Sequence, residues 1–280
     1  MATDFEQQTN NTFNPPFGAL PSKVDLRDYK VVPGDINVTS FELDDLPPVK
    51  NQGLVGSCVA HASSSILEWF NKKETGEHRE LSTGFIYGMQ GVEFDRMDTG
   101  MYLNQACKII QKYGDCLAET IPYNIEMPHC CDRLKVDLND APAVYDEAAI
   151  CKIESYARCQ TEDAVKYAIM TYGPVLMSIK WDNLCWTDFS GVVHFNKLLG
   201  NGYHAVMVYG FDEQGWLCQN SWGKLWGNGG RFILPYEHGF RDAWSFVDAE
   251  NSDIHKPKQN TVLDIVYRIL NAIINAVWKR

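Results

Sequence analysis

The chain has 280 residues, and 25 Lys and Arg set against 36 Asp and Glu leave a formal charge of −11. That balance excludes a protein built to neutralise phosphates, so no nucleic-acid partner is expected. A hydrophobic share of 45%, with 13 Phe, 13 Tyr and 8 Trp, supplies a sizeable core and excludes general disorder. The N-terminus has neither a basic start nor an apolar run, so no secretory signal is visible. No run of 18 apolar residues predicts a membrane span. The nine cysteines are an odd number without a signal, which points to reduced thiols rather than a complete disulfide framework. The expected location is the cytoplasm, or a vesicle or virus particle entered by a signal-independent route.

Residues 1–19 are polar and end in Pro15-Pro16-Phe17-Gly18, an extended leader or short pro-segment. Residues 20–55 carry several prolines and acids and little helical spacing, as expected of irregular chain wrapped over a domain. A helix begins at Gly56-Ser57-Cys58, with Ser57 as N-cap; Val59, Ala62, Ile66 and Trp69 recur at helical spacing until Gly76. Further helices are predicted over Met101–Tyr113 and Glu162–Tyr172. From Val175 the texture is of strand type: Val175–Lys180, Ala205–Phe211, Trp216–Gln219 and Arg231–Pro235. A helical half followed by a β half gives an α+β class. Residues 248–261 form a polar connector. In 262–278 the polar Asp264, Arg268, Asn271 and Asn275 make one narrow stripe on an otherwise apolar helix. That helix either packs on its own domain or docks on a partner or an interface; a span would put a carboxylate and a guanidinium at bilayer depth.

Cys58 sits at a predicted helix start, where unpaired N–H groups and the dipole favour a thiolate and a lowered thiol pKa. Position alone equally fits a buried structural cysteine. Gln52, six residues earlier on a glycine-punctuated loop, brings an uncharged amide donor of the kind an oxyanion needs. His204 can take a thiol proton, and the carbonyl of Asn220 can fix the imidazole tautomer. A hairpin through 212–215 brings His204 and Asn220 into one neighbourhood, but simple register sets Asn220 opposite Met207, so contact needs a bulge. His61, three residues after Cys58, is a rival base; a packed structural role is expected for it. His129-Cys130-Cys131 lacks a second half for a zinc site, so no metal is expected.

These segments resemble the papain family of cysteine proteases. Besides Cys58, His204, Asn220 and Gln52, the likeness takes in Val24-Asp25-Leu26-Arg27, Tyr172-Gly173-Pro174-Val175 and Asn220-Ser221-Trp222-Gly223 through Trp226-Gly227, and covers roughly residues 20–247. It implies a two-lobed α+β fold, with a helical N-terminal lobe, an antiparallel β C-terminal lobe and a cleft between them. It implies a peptidase acting on a polypeptide through a thioester acyl-enzyme, with no cofactor; endopeptidase action is the expectation, and exopeptidase action stays open. In that reading Cys58 is the nucleophile, His204 the base, Asn220 the orienting residue and Gln52 the oxyanion donor. Trp222 shields the His–Asn bond, and Gly100 and Met101 contact the substrate backbone. The chain departs from the family at Val55 and Val59, where it usually has Cys and Trp, and a short leader is expected in place of the family's long helical pro-segment. A papain-fold thiol acyltransferase and a binding protein without turnover are the alternatives. The leader and the extra segment before Gln52 suggest that part of residues 1–45 covers the site, anchored by Phe13, Phe17 or Phe41; a loose tail with a surface loop is the alternative.

Overall fold

A computed structural model describes residues 17–23, 25, 28–95, 99–123, 142–182, 185–195 and 202–247. The chain divides into Met1–Asp248 and Ala249–Arg280, and every described residue belongs to the first unit. Phe13, Val24, Leu26, Arg27, His129-Cys130-Cys131 and the apolar segment 262–278 lie outside the described residues.

Helix α1, Cys58–Thr75, is buried at every position from Cys58 to Asn71. The apolar spacing at Val59, Ala62, Ile66 and Trp69 marks one face. The opposite face is also covered, because α1 packs both on α2, Thr83–Phe94, and on the sheet. Gly76 ends α1 at φ 76°, its N–H donating to the Lys72 carbonyl, a left-handed stop that costs glycine little. Helical spacing did not forecast α2, since Thr83 to Gly91 are all buried and no polar face exists. Its visible signal is Ser82, whose hydroxyl caps the Phe85 N–H at 2.9 Å. Helix α3 is Leu103–Lys112 rather than Met101–Tyr113. Met101–Tyr102 instead forms a two-residue strand, β3, which pairs in parallel with β1, Ala19–Leu20. Helices α4, Pro142–Ala148, and α5, Glu162–Thr171, complete the described α-helices, and two 3-10 turns cover Ala149–Cys151 and Tyr236–His238.

The C-terminal half is an antiparallel sheet of β4 (Ser155–Arg158), β5 (Val175–Trp181), β8 (Gly202–Phe211), β9 (Gly215–Gln219), β10 (Arg231–Pro235) and β11 (Asp242–Val247). The order is β10-β9-β8-β5-β11-β4, and β2, Phe41–Glu42, pairs with the end of β8. A separate hairpin joins β6, Trp186–Thr187, to β7, Val193–His194. Strand β8 lies between two cores. Ala205, Met207 and Tyr209 face the cluster built on α1, α2 and α3, while Val206 and Val208 face the cluster built on α5. Burial on both faces explains why its sequence is a continuous apolar run. The two clusters are the cores of two lobes, and β8 is the strand where they meet.

The β8–β9 pairing contains an irregularity that matters for the site. Met207 pairs with Gln219 and Val208 with Cys218, but Gly210 then pairs with Leu217, so Tyr209 is an extra residue on β8. Continued by one residue, the register beyond this bulge sets Asn220 opposite Val206 instead of Met207. Val206 shares a face with His204, and Met207 does not, because side chains alternate along a strand.

Candidate active site

Cys58 opens α1 and is 0% exposed. Its Sγ accepts the Ala205 N–H at 3.4 Å, which ties the thiol to the residue after His204. The expected lowering of the thiol pKa does not hold in this state. Backbone N–H groups of Ala205, Gly18, Val59 and Cys58 do favour the thiolate, but burial outweighs them and pushes the thiol up to about 11.

His204 is also fully buried, and its Nε2 lies 2.7 Å from Asn220 Oδ1. The same oxygen accepts the Ser221 N–H at 2.7 Å. Two donors on one atom identify it as the carbonyl oxygen, so the neutral ring carries its proton on Nε2. Its Nδ1, the lone-pair nitrogen, has no hydrogen-bond partner among the described residues. Burial draws the His204 pKa down to about 4, against the Asn220 bond, which raises it. The Trp222 ring lies 4.6 Å from the imidazole and the Trp181 ring 5.3 Å from it.

Gln52 is buried, and its amide is held at both ends. Its Oε1 accepts from Ser221 Oγ at 2.7 Å and from Trp222 Nε1 at 3.2 Å. Its Nε2 donates one hydrogen to the Val55 carbonyl at 2.9 Å. Orientation of Gln52 by Ser221 and Trp222 was not legible beforehand, since each lies about 170 residues away in sequence. Ser57 occupies the N-cap position of α1 but its side chain makes no cap bond. Its hydroxyl meets Tyr123 Oη at 2.7 Å instead. His61 is packed edge-on against Tyr123 at 4.6 Å, with Nδ1 3.1 Å from the Ser57 carbonyl. Burial holds its pKa near 3.

Gly100 and Met101 lie beside the N-terminal strap, residues 17–22. The Met101 N–H donates to the Gly18 carbonyl at 2.7 Å. A Cβ on Gly18 would fall 1.8 Å from the Gly56 carbonyl oxygen, and one on Gly100 would fall 2.5 Å from the Gly18 carbonyl. A Cβ on Gly202 would fall 2.4 Å from the Phe17 ring. The strap therefore lies against Gly56 and Gly100 of the helical lobe and against Gly202 of the β lobe, two residues before His204. Phe41 has no part in this; it sits on β2, with its ring 6.3 Å from Phe211. Among the described residues no group of three His, Cys, Asp or Glu could hold a metal ion, and the seven described cysteines are free thiols.

A family model for papain family cysteine proteases matches residues 32–239. Cathepsin K of Mus musculus is 31% identical over 194 residues, which is 67% of this chain and 55% of that protein, so the chain spans little more than half of its relative. An uncharacterised peptidase C1-like protein of Acanthamoeba polyphaga mimivirus is 26% identical over 268 residues, covering 81% of this chain and 84% of that one. Among solved structures, xylellain, a cysteine protease from Xylella fastidiosa, superposes with a TM-score of 0.69 at 23% identity, covering 83% of this chain and 96% of that one.

Proposed function

Because the chain belongs to the papain family of cysteine proteases, we propose that Cys58, His204, Asn220 and Gln52 form a peptidase site that cleaves within polypeptides and is held latent by the strap. The observation that carries this is the His204 Nε2 bond to Asn220, which leaves Nδ1 without a partner among the described residues, beside the strand residue that bonds Cys58 Sγ. Nδ1 takes the thiol proton, and the thiolate attacks the peptide carbonyl carbon. The developing oxyanion receives the second amide hydrogen of Gln52 and the Cys58 backbone N–H. The C–N bond breaks as His204 returns the proton to the leaving amine, leaving a thioester. His204 then takes a proton from water, which attacks the thioester and releases the acid and the free thiol.

The chemistry requires no cofactor. Trp222 keeps water from the His204–Asn220 bond, and Gly100 and Met101 contact the substrate backbone, as Met101 does that of the strap. The strap occupies the substrate path; its Gly18 N–H favours the thiolate, but the burial of Cys58 outweighs it and keeps the proton on sulfur. The test is hydrolysis of internally quenched peptides with both ends blocked, with an added primary amine as a competing acceptor. Cleavage between interior residues with no amine incorporated supports the reading. Amine incorporation without hydrolysis would make the site an acyltransferase, and no reaction with intact Cys58, in the full chain and with the strap displaced by Gly18→Leu alike, would make it a binding fold.

A further inference from the structure

Gln52 and Cys58 lie on one loop, and the distance from amide to thiol depends on how that loop is closed. Tyr123, 71 residues from Gln52 in sequence, reaches the back of it. Its hydroxyl donates to the Gln52 carbonyl at 2.8 Å and lies 2.7 Å from Ser57 Oγ. A phenol has one proton, so with that proton on the Gln52 carbonyl, Ser57 supplies the hydrogen in the second bond. One side chain thus joins the backbone of the proposed oxyanion donor to the residue immediately before the proposed nucleophile. Ser57 is fully buried, so this hydroxyl is used for the joint instead of capping α1. The edge-on contact with His61 fixes the Tyr123 ring from one side.

We infer that Tyr123 is a positioning residue, which sets the spacing between the Gln52 amide and Cys58 through its bonds to the Gln52 carbonyl and Ser57 Oγ. The inference rests on the peptidase reading of the site and adds a group that does not touch substrate.

The test uses the full-length chain, Tyr123→Phe and Ser57→Ala, with near-UV circular dichroism to confirm folding. Two rates are compared: peptide hydrolysis, which builds an oxyanion, and alkylation of Cys58 by iodoacetamide, which does not. The strap is the same in wild type and variants, so its effect cancels when each rate is given relative to wild type. Tyr123→Phe is expected to lower kcat roughly tenfold, less than the 10²–10³ lost when an oxyanion donor is removed outright. KM and the alkylation rate should stay within about twofold. Ser57→Ala should show the same split, and the double variant should lose little more than either single change, because both break one bridge. A kcat within about twofold of wild type in Tyr123→Phe overturns the inference. So does an equal fall in kcat and alkylation, which would make the residue merely structural. A chain that alkylates but never hydrolyses, in wild type and with the strap displaced by Gly18→Leu alike, refutes the peptidase reading and this inference with it, a result distinct from normal turnover in Tyr123→Phe.

Discussion

Cys58 at about 11 and His204 at about 4 bracket neutral pH from the unproductive sides. With the strap in place both groups are neutral and the proton stays on sulfur. Burial is the cause in each case, so uncovering the cleft is what brings the two values towards each other. Iodoacetamide labelling of Cys58 in the full chain is therefore expected to rise about tenfold per pH unit up to roughly pH 11, because only the thiolate reacts. A plateau at neutral pH in the covered chain would contradict this. The two histidines also separate cleanly. His204→Ala should lower turnover by several orders of magnitude, as loss of a base from a catalytic unit does. His61→Phe puts an apolar side chain beside Tyr123 and should keep activity within about threefold, since His61 bonds Ser57 and not Asn220. Steady-state kinetics on both variants checks the pair, and the reverse ranking would exchange their roles.

At the scale of elements, the strap β1 and the bulge in β8 decide whether the site is open and whether it is assembled. Gly18 is the pinch point, since its missing Cβ would overlap the Gly56 carbonyl at 1.8 Å. Gly18→Leu is expected to keep the strap from seating, to raise hydrolysis of a small peptide at least tenfold, and to give Cys58 labelling a plateau near neutral pH. Unchanged rates in Gly18→Leu would leave the strap without an inhibitory role. How far such features could be read beforehand follows from their physics. Strands β5, β8, β9 and β10 and helices α1 and α5 were legible because periodicity, Ser57, Gly76 and Gly173-Pro174 mark them. Helix α2 was not, because it is buried all round. The Tyr209 bulge was required by the His204–Asn220 contact, and the one local mark of it is Gly210, the strand glycine that follows. Phe17 was one of three candidate anchors, and which of them lay at the cleft depended on long-range packing. Burial of Cys58, and hence the sign of its pKa shift, came from that same packing.

For the whole molecule, the family and the α+β fold were legible because the four site residues and the Asn220–Gly227 run carry a specific chemical pattern, whereas their geometry depended on how β8 joins two cores. Buried neutral histidines also give the domain a defined acid response. His61 and His204 fold with values near 3 and 4 against about 6.5 unfolded, so the unfolded chain binds their protons first. Their contribution to stability is fully present above pH 6.5 and is lost as pH falls through 4 towards 3. Thermal midpoints should fall over that window, and His61→Phe should flatten the fall; a wild-type midpoint constant from pH 6.5 to 4 would contradict the burial of both rings. The account as a whole rests on Cys58 as the nucleophile of a peptidase. Its most direct test is titration of the full-length chain with an epoxysuccinyl peptide, following intact mass and residual hydrolysis together. One equivalent bound at Cys58, with hydrolysis lost in proportion and Cys58→Ala inert yet folded, is the predicted result. Hydrolysis that persists with Cys58 fully modified, or in Cys58→Ala, would contradict it.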